Sequence, residues 1–337
     1  MVEYPIVSKP WPGVGSPHRI LAIRFQALGD TIITLPYLQD FKRLHPAIEI
    51  DLLTRNEVSA IPKGIQLFDH VYEIGGGRNA KIIFLLTVLK IPLLLSRQYD
   101  AVLDLQNNKI SRFVRKAIAA KAFVEFDRSS PRSAGERTAE TISALGLGPV
   151  HRSTKFIFKN RFSSIFKPTA RVTIVLNPAG YCSSRNWPIK NYIDYAKIWI
   201  AELKNDVNFL LLLMPSRQSV ADQLREAIGS GCVDLTGRAD QVEAFEIISR
   251  CSLMLSEDSG LMHMAWVQEI PTIALFSSSR KDWAAPQGQR SVCLDSSDLE
   301  CGPCQLEECK FGDNRCLTRY TPQQVFEISQ RLLNFSQ

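Results

Sequence analysis

The 337-residue sequence lacks most of the signatures that would place it at once, and each absence removes a class of function. It has no G-x-x-x-x-G-K-[ST] phosphate loop and no G-x-G-x-x-G after a strand, so neither a P-loop nor a dinucleotide fingerprint is encoded. H-E-x-x-H and G-x-S-x-G are missing too, which removes a zincin site and a nucleophile elbow. No run reaches the roughly 18 uncharged apolar residues of a spanning helix. The nearest, "KIIFLLTVLKIPLLL" (81–95), is broken by Lys90 and Pro92 and reads as a buried or interfacial helix. Residues 1–18 lack the apolar h-region of a signal peptide and read as an extended, proline-rich arm, so a cytoplasmic chain is expected. A large excess of one charge sign is lacking as well. A formal +6 is a solvated surface and gives no reason to expect nucleic acid.

What is present is a soluble globular composition, 45% hydrophobic and 22% charged, at a length that suggests two domains. Short apolar strands alternate with longer amphipathic helices. "RILAIRF" (19–25) is followed by a helix with apolar residues at Ile32, Leu35, Leu38, Phe41 and Leu44. "IEIDLLT", "HVYEI", "DAVLDLQ" and "AFVEF" continue the first half; "RVTIVLNP", "NFLLLLMP", "CVDLT", "SLMLSED" and "PTIALF" build the second. The expected class is therefore α/β, with two doubly wound, Rossmann-like domains facing a central cleft. The expected boundaries are an arm at 1–18, a first domain at 19–158 and a linker at 159–170. A second domain follows at 171–320, with a cysteine-rich loop at 301–316 and a terminal helix at 321–337.

Ligands of such sheets sit beyond the carboxyl ends of the strands. Three turns there carry chemistry. In "SEDSGLMHMAW" (256–266), Asp258 or Ser259 caps a helix, Gly260 opens the backbone N–H groups to a ligand and His263 lies one turn in. The plain alternative is a capped helix with a satisfied histidine. In "NPAGYCSSRNWP" (177–188), Ser183, Ser184 and Arg185 offer donors to a phosphate; the alternative is an ordinary loop. In "RFQALGDTIITLP" (24–36), Gly29 permits close approach and Asp30 sits at a helix start. By spacing alone Asp30 is an N-cap; opposite a phosphate cradle it would be a general base.

Two further segments stand out. Residues 107–137 hold eight Lys/Arg against three acids, which is either a solvated face or a basic surface for a phosphorylated or membrane-borne acceptor. Cys301, Cys304, Cys309 and Cys316 crowd into 16 residues. A structural Zn2+ or iron centre, disulfides or redox-sensitive thiols, and free thiols are all open readings. A structural clip suits their position better than catalysis.

Taken together, "ILAIRFQALGDTIITLPYLQDFKRLHP", "YDAVLDLQNN", "LNPAGYCSSRNWP", "LTGRADQVEAFEIISRC" and "SEDSGLMHMAWVQEIPTIALF" resemble glycosyltransferase family 9, the heptosyltransferases of lipopolysaccharide core assembly. The resemblance implies a GT-B fold and an inverting, metal-independent transfer that needs no cofactor. A glycan or glycolipid acceptor would lie on the first domain, with Gly29, Gln106 and Asn107 on its side. The nucleotide-sugar donor, ADP-heptose foremost, would lie on the second. Asp30 matches the family's base; Asp258 would bind sugar hydroxyls and His263 the diphosphate end. Ser183, Ser184, Arg185 and the N–H groups of Ser259 and Gly260 would stabilise the leaving diphosphate, such donors being worth about 3–4 kcal/mol each. Peripheral contact with the inner membrane would follow from a membrane-borne acceptor. Where some members place threonine and lysine, this chain has "YCSSRNW", so its phosphate partner becomes Arg185.

Two other functions fit the same architecture. A nucleotide-sugar epimerase would turn over its substrate without an acceptor. A metal-binding scaffold organised by the cysteines would bind metal and gain no stability from nucleotides.

Overall fold

Each apolar run of the first half becomes a strand of one sheet. The computed structural model describes residues 6–159, 165–178 and 182–334, and the chain divides into two units, Met1–Asn160 and Arg161–Gln337. The first contains β1 (Ser8–Lys9), β2 (Arg19–Ile23), β3 (Glu49–Arg55), β4 (His70–Ile74), β5 (Ala101–Asp104) and β6 (Ala122–Glu125). Their order is β1-β6-β5-β2-β3-β4, parallel except for β1. Ile20, Leu21, Ala22 and Ile23 of β2 are fully buried, as a parallel strand covered on both faces must be. The chain steps outward from β2 to β3 and β4, then returns to β5 on the other side. The sheet's switch point thus falls between the ends of β2 and β5.

Five helices accompany this sheet: α1 (Leu28–Leu44), α2 (Ala60–Gly64), α3 (Ala80–Ser96), α4 (Lys109–Ile118) and α5 (Ala134–Ser143). The spacing read for α1 holds for Ile32, Leu35, Leu38 and Phe41, which are buried, but Leu44 is exposed at the helix end. The N-terminal segment is not a free arm. Ser8 and Lys9 pair antiparallel with Val124 and Phe123, covering the β6 edge, and the Trp11 N–H donates to the Leu145 carbonyl at 2.8 Å. Residues 1–5 lie outside the described residues, as do 160–164 of the expected linker.

The second unit contains β7 (Val172–Asn177), β8 (Val207–Leu211), β9 (Cys232–Asp234), β10 (Leu253–Glu257), β11 (Thr272–Leu275) and β12 (Ser291–Leu294). They form an all-parallel sheet in the order β12-β11-β10-β7-β8-β9. Read from β9, this is the 3-2-1-4-5-6 order of doubly wound nucleotide-binding sheets, with its switch point between β7 and β10. The edge strand β12 has no counterpart in the sequence reading, because its half-buried "SVCL" shows no strong apolar run. The helices are α6 (Ile189–Leu203), α7 (Gln218–Ile228), α8 (Gln241–Ile248), α9 (Gly260–Trp266), α10 (Lys281–Ala284), α11 (Arg315–Thr318) and α12 (Pro322–Asn334). The last one closes this unit. Phe326 meets Trp199 of α6 edge-on at 4.8 Å, and the Tyr195 and Ser329 hydroxyls are 2.8 Å apart.

Candidate active site

At the first switch point β2 runs into a turn and then α1. Asp30 is not the N-cap that its position suggested. Ala27 takes that place, and Asp30 is the third helical residue. Its carboxylate accepts the Ala27 N–H at 3.1 Å and faces the Arg24 guanidinium at 3.0 Å, yet the side chain stays 42% exposed. Arg24 itself is buried. It donates to the Leu105 carbonyl and stacks over the Phe126 ring at 5.3 Å, which Arg137 approaches at 5.1 Å. Burial lowers the Arg24 pKa from its ordinary value, Asp30 opposes that shift, and Arg137 and Arg128 add to it. The carboxylate thus sits at the rim of a group of three guanidiniums.

Gly29 is the second residue of α1, beside Asp30. Gln106 is buried, and its side-chain carbonyl accepts the N–H groups of Phe25 and Gln26 at 2.9 and 3.1 Å. Gln106 therefore fixes the β2–α1 turn, and its acceptor-side assignment becomes a structural one. Asn107 does reach open space. Together with Arg112, Glu125, Asp127 and Arg128 it lines a cavity of about 410 Å³. Its side chain donates to the Phe126 carbonyl at 2.8 Å and accepts from Arg112 Nε at 2.7 Å.

The second switch point is organised by Asn177, which the sequence reading did not single out. Its Nδ2 donates to Ser256 Oγ at 2.8 Å and Ser259 Oγ at 2.7 Å, tying the ends of β7 and β10 together. Ser259 is the N-cap of α9, accepting the Met262 N–H at 3.4 Å, and Gly260 is the first helical residue. With seven residues, α9 adds only a small dipole. Asp258 pairs with Arg185 at 3.6 Å, both side chains partly exposed, and Arg185 Nε donates to Ser278 Oγ at 3.3 Å. Beneath them the buried Glu257 carboxylate accepts the Trp187 N–H at 2.6 Å, which anchors the segment carrying Arg185.

Three expectations for this unit change. Ser184 is buried, and its hydroxyl donates to the Leu306 carbonyl at 2.6 Å while its N–H donates to the Glu307 carbonyl at 3.1 Å. The Ser183 hydroxyl also reaches the Glu307 carbonyl, at 3.3 Å. Both hydroxyls are engaged by the cysteine-rich loop, Ser184 from a buried position and Ser183 from an exposed one. His263 is buried as well, and its Nδ1 accepts from Trp266 Nε1 at 2.9 Å, which places the proton of the neutral ring on Nε2. That is the satisfied-histidine arrangement. Residues 179–181 of "NPAGYCSSRNWP" lie outside the described residues.

The four clustered cysteines line one cavity of about 20 Å³, room for a single water or ion, together with Lys310 and Arg315. All eight cysteines are free thiols. Among the described residues no three His, Cys, Asp or Glu side chains are grouped to hold a metal ion. Burial works to raise the Cys309 thiol, but N–H groups from Phe311 to Asn314 outweigh it and hold the thiol below its ordinary value.

The sheet orders and paired switch points invite comparison with known proteins. Residues 151–314 match Glycosyltransferase family 9 (heptosyltransferase). Over that segment the chain is similar to glycosyltransferase family 9. Lipooligosaccharide heptosyltransferase 2 of Campylobacter jejuni subsp. jejuni serotype O:2 is 30% identical over 199 residues, covering 58% of this chain and 61% of that protein. The chain spans about half the length of the curated relatives it matches, from 46 to 61% for three of them. The family 9 glycosyltransferase structure from Veillonella parvula superposes with a TM-score of 0.76 at 17% identity, over 94% of this chain and 97% of that one. The E. coli heptosyltransferase WaaC bound to ADP-2-deoxy-2-fluoro heptose gives 0.68 at 17% identity, over 93% and 99%. These family 9 structures share the two-unit GT-B fold.

Proposed function

We propose that the protein is an inverting glycosyltransferase that moves heptose from ADP-heptose to a lipopolysaccharide-core or related glycan acceptor. The observation that carries this reading is the Arg185–Asp258 pair at the β7/β10 switch point, in a chain similar to this family. Arg185 would meet the diphosphate and Asp258 the sugar hydroxyls. An arriving diphosphate replaces a long, partly exposed ion pair worth about 0–1 kcal/mol with charge-assisted bonds to a stronger anion. The name of the WaaC complex, with its ADP-linked heptose analogue, supports the same donor class.

In the first unit, Asp30 would take the proton of the acceptor hydroxyl. The acceptor oxygen then bonds to the anomeric carbon, and the bond from that carbon to the diphosphate oxygen breaks. ADP leaves with the electron pair, and the configuration inverts. Arg185 and the N–H groups of Ser259 and Gly260 stabilise the departing charge. The cavity beside Asn107, lined by Arg112 and Arg128 together with Glu125 and Asp127, offers donors and acceptors to a polar glycan acceptor. A membrane-borne acceptor would be met at the cytoplasmic face of the inner membrane.

The cysteine loop is a structural clip. If Zn2+ or iron binds, the four thiolates would close around the small shared cavity and stiffen the loop that Ser183 and Ser184 hold, and no step of the transfer passes through the metal. Thermal melting against a panel of nucleoside diphosphates tests the donor reading: ADP should raise the melting temperature of the wild type and not of Arg185→Ala. Equal shifts in both, or a UDP preference, would contradict it.

A further inference from the structure

Helix α3 turns its apolar side to water. Of its 17 residues only Ile83, Thr87 and Leu94 are buried. Ile82, Leu85, Leu89 and Leu93 are 46, 58, 67 and 44% exposed, and Phe84, Val88 and Leu95 are exposed beside them. The spacing 82–85–89–93 is one continuous face of a helix. A contiguous oily stripe of this kind marks an interaction surface. Among the described residues no helix is long and apolar enough to cross a membrane, so α3 lies along whatever it meets.

The charges around the stripe say what that is. Lys81 and Lys90 are the only ionic residues of α3. The neighbouring α4, whose Phe113 ring sits 5.1 Å from Phe84, carries Lys109, Arg112, Arg115 and Lys116 and no acid. Between residues 76 and 121 there are nine Lys/Arg and two acids. Of those two, Asp104 is buried, and Asp100 is bonded to Lys121 and to the His18 N–H. Glu125 occupies Arg112 and Arg115, while Arg78, Lys81, Lys109 and Lys116 are exposed around the stripe. A second copy of this chain would bring two such cationic rims together. An anionic surface with an apolar interior complements both features.

We propose that the α3 face docks on an anionic lipid bilayer, its Ile and Leu side chains at the acyl boundary and its Lys and Arg rim at the lipid phosphates. The helix is apolar nearly all round and takes its cationic rim from its two lysines and from α4, so apolar burial and anionic attraction add. The inference does not depend on the sugar donor or on Asp30.

Sedimentation with phosphatidylglycerol/phosphatidylcholine vesicles tests it. The full-length protein should pellet with these vesicles, far less with pure phosphatidylcholine, and less as salt rises. Leu85→Glu with Leu89→Glu should cut partitioning by about tenfold or more. Lys81→Gln with Lys90→Gln should cut it roughly fivefold per cation. Lys81, Leu85 and Leu89 are exposed and Lys90 is half-buried near Glu73; circular dichroism and the ADP melting shift should stay at wild-type values. Wild-type protein that ignores anionic vesicles, binds neutral ones equally well, or binds unchanged with both leucines replaced would overturn the proposal. So would an α3-dependent dimer in sedimentation velocity without vesicle binding.

Discussion

The Asp30 carboxylate lies 3.0 Å from the buried guanidinium of Arg24, while its other tether is the Ala27 N–H at 3.1 Å. The cation is locked by burial and by the Leu105 carbonyl, so the carboxylate it holds is aimed and still 42% exposed. A general base needs that combination of fixed geometry and open access.

Arg24 therefore acts as a positioning residue for Asp30. Arg24→Met keeps the length of the side chain and removes the tether. It should lower kcat roughly 10- to 100-fold and leave KM for the donor nearly unchanged. Steady-state kinetics at a pH where both variants fold checks this. A change in donor KM with kcat intact would show that Arg24 serves binding.

Ser184 and Arg185 are sequence neighbours with different tasks. Ser184→Ala strands the Leu306 carbonyl and should cost about 1–2 kcal/mol, seen as a melting temperature lower by roughly 2–5 °C, with ADP affinity within about twofold of wild type. Arg185→Ala should weaken ADP at least about tenfold with little change in melting. The reverse pattern in calorimetry would return the phosphate to Ser184.

Asp104, at the end of β5, is buried, and burial raises its carboxyl above the ordinary range against the opposing N–H bonds from Asn107 and Gln106. The folded chain thus holds this proton more tightly than the unfolded chain. Stability from this group is full below the unfolded value near pH 4 and falls as pH rises through the raised folded one. Asp104→Asn preserves the acceptor oxygen and removes the charge. It should raise the melting temperature by a few degrees at pH 7.5 and confer no gain at pH 4. A loss at pH 7.5 that disappears at pH 4 would mean that the carboxylate is needed as such.

The thiols should differ widely in reactivity. Burial pushes Cys232, Cys251 and Cys293 up to about 12, so roughly one thiol in ten thousand or fewer is ionised at pH 7.5. Cys309 is held below its ordinary value. Iodoacetamide with peptide mapping should modify Cys309 well before those three. If Cys301, Cys304, Cys309 and Cys316 are protected together until a chelator is added, the loop carries metal; transfer should persist in the chelator either way.

Much of the fold was legible because parallel strands buried on both faces are short apolar runs. "RILAI" and "LMLSE" read directly as β2 and β10. Of the four edge strands, "HVYEI" (β4) and "CVDLT" (β9) were legible and two were not: β1 has two residues, and β12 is half-buried with a mixed pattern. Asp30 was legible as a residue and not as a position, since nothing in "QALGD" says that an alanine takes the cap. Ser183 and Ser184 misled for a related reason. A hydroxyl shows no sign in the sequence that a carbonyl more than 120 residues away will claim it. Arg24 and Asn177 were missed because a polar side chain at a strand's carboxyl end carries no periodicity; the partner of Arg24, Asp30, lies beyond the β2–α1 turn, and that of Asn177, Ser259, lies across the switch point. The carboxyl ends of the strands flanking a switch point were the signal that would have found both.

The central claim is that Asp30 takes the acceptor's proton during transfer from an ADP-sugar. It is tested most directly by acceptor-dependent ADP release from ADP-heptose, measured for wild type and Asp30→Asn, with ADP binding and melting recorded on the same preparations. Wild type should release ADP only when a heptose-accepting lipopolysaccharide-core glycolipid is present. Asp30→Asn should fold and bind ADP as wild type does and lose at least about 10³-fold in kcat. An Asp30→Asn enzyme that still transfers at near wild-type rate would contradict the account.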